Sequence, residues 1–357
     1  MRPSSITFRR ALLLAVLVTV ITGIFAGLAR VGVSVPWGTA HVLAHGPLLV
    51  LGAFVTVIGL ERAVALGKHA GYMVPTLGAS GAILTLAHVQ SGAWLFVAAT
   101  LALVAVNAML VRRQRSDSTL LMLLGSLVLF GGTLAWALKR PIFEVVHAWI
   151  AFFVLTIIAE RLELSRLAPT PRWAAHMLVV LSVVVSICSV ASIFDDKVAG
   201  RLTGCAFVLL GLWGMRFDLA RRTVSKSGLP RYAAIAVLLA MSWLVVSGAL
   251  FLSNSRLVAG SLYDASLHAV FVGFVFSMVF AHAPIILPAV AKIEIPFRAA
   301  FYFPLVLLHT GLLARVTGDV TDHLNLRVAG SVASASALPI FAAAAIWARI
   351  RKAKPTP

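Results

Sequence analysis

Ten histidines stand in a chain of 357 residues that carries only twelve Asp and Glu. Several of them sit at spacings that bring side chains together on a helix. His41 and His45 are four apart, Asp264 precedes His268 by four, and Glu144 precedes His147 by three. Residues three and four apart share a helical face. Neutral imidazole is the commonest metal ligand and a usual axial ligand of haem iron. An E-x-x-H pair can hold a metal inside a helical bundle, and a carboxylate beside a ligating histidine can accept its N–H and fix the tautomer. The chemistry these residues suggest is therefore coordination. No Ser-His-Asp set, phosphate loop or Cys-rich zinc pattern occurs in a suitable context, which argues against hydrolytic or nucleotide-driven chemistry. Cys188 and Cys205 stand alone in apolar stretches and form neither a disulfide framework nor a C-x-x-C site.

The elements that must position these residues follow from composition. Hydrophobic residues make up 61% of the chain and charged residues 12%, against roughly 45–50% apolar in a soluble domain. The charges are clustered, and the apolar runs between them reach the length, about 17–25 residues, needed to cross a bilayer core as helices. The predicted fold is all-α and polytopic, with about twelve transmembrane helices. The first six span 11–29, 40–60, 72–88, 91–111, 118–138 and 142–160. The other six span 173–194, 198–215, 231–253, 262–290, 299–315 and 327–348. Arg9 and Arg10 before the first run resemble a signal peptide, but the run is long for one and reads as a helix. Pro284 and Pro288 remove backbone donors near the end of the tenth helix and should kink or break it.

Basic residues set the orientation. With the termini and the loops after even helices on one face, that face holds 22 of the 30 Lys and Arg. The asymmetry predicts cytoplasmic N- and C-termini in a bacterial inner membrane. The formal charge of +18 is then a matter of topology and anionic lipid, and the bilayer is the expected partner. With no soluble domain, no nucleic-acid partner is expected.

This topology sorts the histidines by depth. His41, His45, His147 and His268 open even helices on the outer face, and His88 and His309 end odd helices there. Intramembrane ionisable residues generally face a bundle interior, a cavity or a cofactor, so six in one leaflet ask for a reason. Taken singly, each also reads as an ordinary interhelical hydrogen-bonding residue. His45 and His268, from parallel helices at equal depth, could give one porphyrin an axial ligand each. His41 is then a substitute ligand, and Asp264 is a group that accepts the free N–H of His268. Glu144 and His147, with His309 and His88, could form an outer copper or iron site; a first-turn Glu is also simply favourable against the helix dipole. His282, 14 residues after His268, lies about 21 Å further along the helix. Beside Pro284 it could line a polar path or satisfy opened backbone. Glu61 with Arg62 and Glu160 with Arg161 read as paired anchors at helix ends, or as gates of a proton path.

The spacing also suggests a parallel threefold repeat, with blocks 1–116, 117–225 and 226–357 inside one membrane domain. His45, His147 and His268 each open the second helix of a block, and LTLAH ending at His88 rhymes with LVLLH ending at His309.

Twelve helices in three such arcs resemble subunit I of the haem-copper oxidases. HGPLLVLGAFVTVIGLERAVAL from His45 and LHAVFVGFVFSMVFAHAPIILP from Leu267 are similar to segments of the NnrS family, haem- and copper-containing membrane proteins linked to nitric oxide responses. The resemblance implies a b-type haem held by His45 and His268, with copper at His147 and an electron-donor protein as partner. Two departures from the oxidase pattern stand out: Val270 lies two positions after His268, and helix 7 has only His176. They argue against a complete oxygen-reducing centre. If the protein is an enzyme, the resemblance makes it a haem-dependent oxidoreductase. The competing readings are a secondary transporter or proton or solute channel using these histidines, and a non-catalytic assembly factor for a metalloenzyme.

Overall fold

Backbone groups placed in lipid must bond to one another, and helices do this within one segment. The computed structural model, which describes residues 5–167, 170–192, 196–253 and 258–353, contains helices and no strands among those residues. Arg2, Arg256, Lys354 and the last two positions of the seventh predicted span, 193 and 194, lie outside them.

The helices are α1 Ile6–Arg30, α2 Thr39–Leu66, α3 Met73–Leu86, α4 Gly92–Arg113, α5 Asp117–Ala137 and α6 Ile142–Ser165. They continue as α7 Arg172–Ala191, α8 Asp196–Phe217, α9 Gly228–Ser253, α10 Ser261–Ala291, α11 Ala299–Val320 and α12 Leu324–Ala353. Eleven of these are long and apolar enough to cross a membrane among the described residues. The exception is α3, 14 residues long and preceded by a 3-10 turn, His69–Tyr72. The protein is thus an all-α, multi-pass membrane protein. Local chemistry marks the ends: Ser116 and Thr119 form a reciprocal capping box at the start of α5, and Gly67 ends α2 in the left-handed region.

Two helices are not uniform. In α2 a 3-10 segment, Thr39–Ala44, gives way at His45–Pro47 to a π-helical stretch, Leu48–Phe54, before the α-helix resumes. In α10 the segment Ser261–His268 is followed by a π-helical stretch, Ala269–Phe276. Pro47 has no N–H to give the turn behind it. The prolines of α10 lie later, inside Ser277–Ala291, and the helix runs through both.

The chain divides into two units. The first comprises residues 1–155 and 290–292, the second residues 156–289 and 293–357. In the first, α1 packs on the irregular half of α2, and Phe54 meets Phe153 edge-on at 5.0 Å. Arg9 and Arg10 donate to the carbonyls of Val290 and Ala291, which ties those three residues to this unit. In the second, Trp243, Ala265, Ala269, Leu312 and Val316 form a buried cluster, and Tyr232 packs against Phe297, Phe301 and Tyr302.

Candidate functional site

The site is built from imidazole rings, and what each ring can do depends on which nitrogen carries the proton. A carbonyl oxygen only accepts hydrogen bonds, so a ring nitrogen against it must be the protonated one.

His45, in the first unit, sets Nδ1 at 2.6 Å from the carbonyl oxygen of Gly23 on α1. Its ring lies over Gly27, where an added Cβ would come within 2.5 Å of Cε1. Only a glycine admits the ring there. His268, in the second unit, sets Nδ1 at 2.7 Å from the main-chain oxygen of Asp264. In both, Nδ1 holds the proton and Nε2 the in-plane lone pair. Metal-ligating histidines almost always donate their second nitrogen in this way. Each ring also stands at the last residues before a π-helical stretch, and such stretches recur at functional sites. The aspartate was expected to accept from His268 through its carboxylate. The structure corrects the atom, because a main-chain oxygen four residues back lies under the ring of any histidine with this rotamer.

The other candidates are engaged elsewhere. His41 was expected one turn from His45 on the same helical face. Residues 39–44 are 3-10, with three residues per turn, so a step of four swings the side chain about 120° away. The ring of His41 instead stacks on His88, centroids 4.8 Å apart and planes 9° apart. Two ligands of one ion aim their in-plane lone pairs at a common point, which face-to-face rings do not do. His88 itself lies past the end of α3 with a positive φ of 59°, a left-handed cap position. Glu144 pairs with Arg140 at 3.3 Å, and His147 is buried at 4% exposure. His309 accepts the indole N–H of Trp243 at Nδ1, 2.8 Å away, so its proton is on Nε2, which faces Ser277 Oγ at 3.4 Å. Ser277 in turn donates to the carbonyl of Gly273, whose missing Cβ makes room for the Trp243 ring. The predicted outer copper or iron centre drew Glu144, His147 and His88 from the first unit and His309 from the second; within its own unit Glu144 faces Arg140, His88 faces His41 and His309 faces Trp243 and Ser277. Among the described residues no group of three or more His, Cys, Asp or Glu is placed to hold a metal ion.

Two polar clusters were not foreseen. Arg161, buried at 6% exposure, donates from Nη2 to His282 Nε2 at 2.8 Å, while His282 Nδ1 donates to the Met278 carbonyl. His282 thus serves neither of the carbonyls that Pro284 and Pro288 leave open. Asp218, just past α8, accepts from the Ala220 N–H at 2.7 Å. Burial raises its pKa, opposed by the nearby Arg161 charge, that hydrogen bond and His282. The second cluster runs from Asp264 through Arg315 at 3.9 Å, Asp319 at 3.7 Å from Arg315, and Arg327 to Asp322. Asp319 is 1% exposed. The sequence signal was available: α11 runs to Val320, five residues beyond the predicted end, so Arg315 and Asp319 are helix-borne charges in an apolar segment.

Residues 9–350 match a family described as a domain of unknown function, DUF8744. The chain belongs to that family. The match takes in all or nearly all of every helix from α1 to α12, so the membrane domain as a whole is the family unit. No curated protein and no solved structure matches the chain.

Proposed function

We propose that this protein binds haem in the membrane through His45 and His268, with a redox or nitric-oxide-response role of the NnrS type. The observation that carries the reading is the shared state of the two rings: each is anchored by Nδ1 on a main-chain carbonyl, which fixes the tautomer, and stands one to three residues ahead of a π-helical stretch. A donor set of neutral imidazoles with backbone-fixed tautomers suits haem iron. When bound, haem would supply one-electron Fe(III)/Fe(II) exchange. The chain's own part is to hold the rings: the Gly23 carbonyl and the bare face of Gly27 fix His45, and the first turns of α10 fix His268. Copper has no place in the proposal, because Glu144 is paired with Arg140 and His309 uses both nitrogens within the protein.

Purified from haem-replete cells, the protein should show a Soret band and a pyridine haemochrome signal. His45→Ala and His268→Ala should each reduce both, and the ferric spectra of the single and double variants report how many irons the two histidines serve. A colourless wild-type preparation would overturn the reading.

A second reading, a proton-coupled transporter, is favoured by one observation: buried Arg161 of α6 meets His282, which lies on the helix that carries Pro284 and Pro288, with Asp218 near both. Proton-driven uptake into proteoliposomes, abolished by His282→Gln and indifferent to haem removal, would select it.

A further inference from the structure

The anchor of His268 is the main-chain oxygen of Asp264, and the carboxylate of that same residue is one end of a chain of alternating charges. Arg315 stands 3.9 Å from Asp264 and 3.7 Å from Asp319. Arg327 bridges Asp319 and Asp322. The interior of the chain is dry: the side chains of Arg315 and Asp319 are 7% and 0% exposed, whereas that of Asp322 is 92% exposed. Three carboxylates face two guanidiniums, so with all five ionised the chain carries one surplus negative charge. Buried charges are poorly screened and act at longer range than surface ones. Ion pairs of this kind add little to stability against apolar side chains of equal volume, so fastening α10 to α11 and α12 does not by itself call for them.

We propose that this charge chain is a control element for His268, setting the electrostatic potential at its ring and so the redox potential of an iron bound there, with Arg315, the link between Asp264 and Asp319, as the positioning residue. The proposal rests on the haem reading above. Its sign is fixed by electrostatics. A negative surplus favours the ferric over the ferrous state, since the ferric centre carries one more positive charge. Arg315→Gln leaves three carboxylates against one guanidinium and should lower the midpoint potential. Asp264→Asn removes the surplus, keeps the main-chain oxygen that holds Nδ1, and should raise it. Arg315→Lys keeps the charge and should stay near wild type. Asp322→Asn, at the wet end, should shift the potential upward by less than Asp264→Asn, and by less still at high salt.

The experiment is a spectroelectrochemical titration of the purified full-length protein and these four variants, with haem content and melting temperature measured on each. A merely structural role predicts loss of haem or of thermal stability without shifts of opposite sign. Opposite shifts in Asp264→Asn and Arg315→Gln support the proposal; if Arg315→Gln does not fold, an upward shift in Asp264→Asn larger than that in Asp322→Asn supports it. Haem-loaded variants with unchanged potentials overturn the proposal and leave the haem reading standing. A wild-type protein without haem overturns both.

Discussion

The histidine helices of the two units, α2 and α10, reach the same ring state by different routes. Each carries its histidine just ahead of a π-helical stretch, and each closes that stretch with a hydroxyl bonded back to a glycine carbonyl, Thr56 to Gly52 at 2.6 Å and Ser277 to Gly273. In α10 the ring is held by its own helix, at Asp264, four residues back. In α2 the anchor is Gly23 on another helix, 22 residues away, and the residues before His45 are 3-10 rather than α-helical. One anchor is therefore local and survives whatever leaves the helix intact. The other depends on how closely α1 packs.

The sharpest way to break this comparison acts on the charge chain beside the histidine of α10. Asp319→Asn leaves buried Arg315 and half-buried Arg327 undercompensated, and losing one partner of a buried pair costs about 3–5 kcal/mol. The melting temperature in detergent should fall by many degrees. Next come the two glycines that admit a ring. An added Cβ would lie 2.5 Å from His45 at Gly27 and 2.4 Å from Trp243 at Gly273, and overpacking of this kind costs roughly 1–3 kcal/mol. Gly27→Ala should also cost haem content, approaching His45→Ala, because it displaces the ring. Asp264→Ala, by contrast, spares the main-chain anchor and should leave haem content near wild type. Equal haem loss in both variants would erase the distinction between the two anchors.

Smaller effects separate the hydroxyl closures. Thr56→Val removes one hydrogen bond and Ser277→Ala two, counting that to His309, each worth about 0.5–1.5 kcal/mol net. Ser277→Ala should also loosen His309, visible as a shift of its ring nitrogen resonances. The smallest expected effect is a pH slope at Asp218, which has no counterpart in the first unit. Its folded pKa is raised, chiefly by burial, so the fold favours the neutral carboxyl. The stability it contributes is complete below the unfolded pKa and is lost as pH rises through the folded one. Melting temperatures taken upward from the ordinary carboxylate range should decline less in Asp218→Asn than in wild type.

Much of the fold was legible without coordinates. The count and order of the helices follow from the thickness of a bilayer and the hydropathy of consecutive residues, which is one-dimensional information. Even α3, the short one, was located, since its apolar run is unbroken. Less of the site could be read. His45 and His268 stand out by depth and spacing, and Asp264 was rightly tied to His268, though through the wrong oxygen. His41 was placed on the face of His45 because the inference assumed a regular α-helix, whereas residues 39–44 are 3-10; the contacts of His88 with His41 and of His309 with Trp243 depend on packing that spacing does not carry.

By itself the sequence determined that this chain lives in a membrane as a set of helices, and where along the chain those helices fall. Only the tertiary structure decided which way each ring turns and which nitrogen keeps its proton. Those depend on helical phase, which 3-10 and π turns reset, and on how near a neighbouring backbone comes. Both are products of packing, and no pattern along a single strand of residues records them.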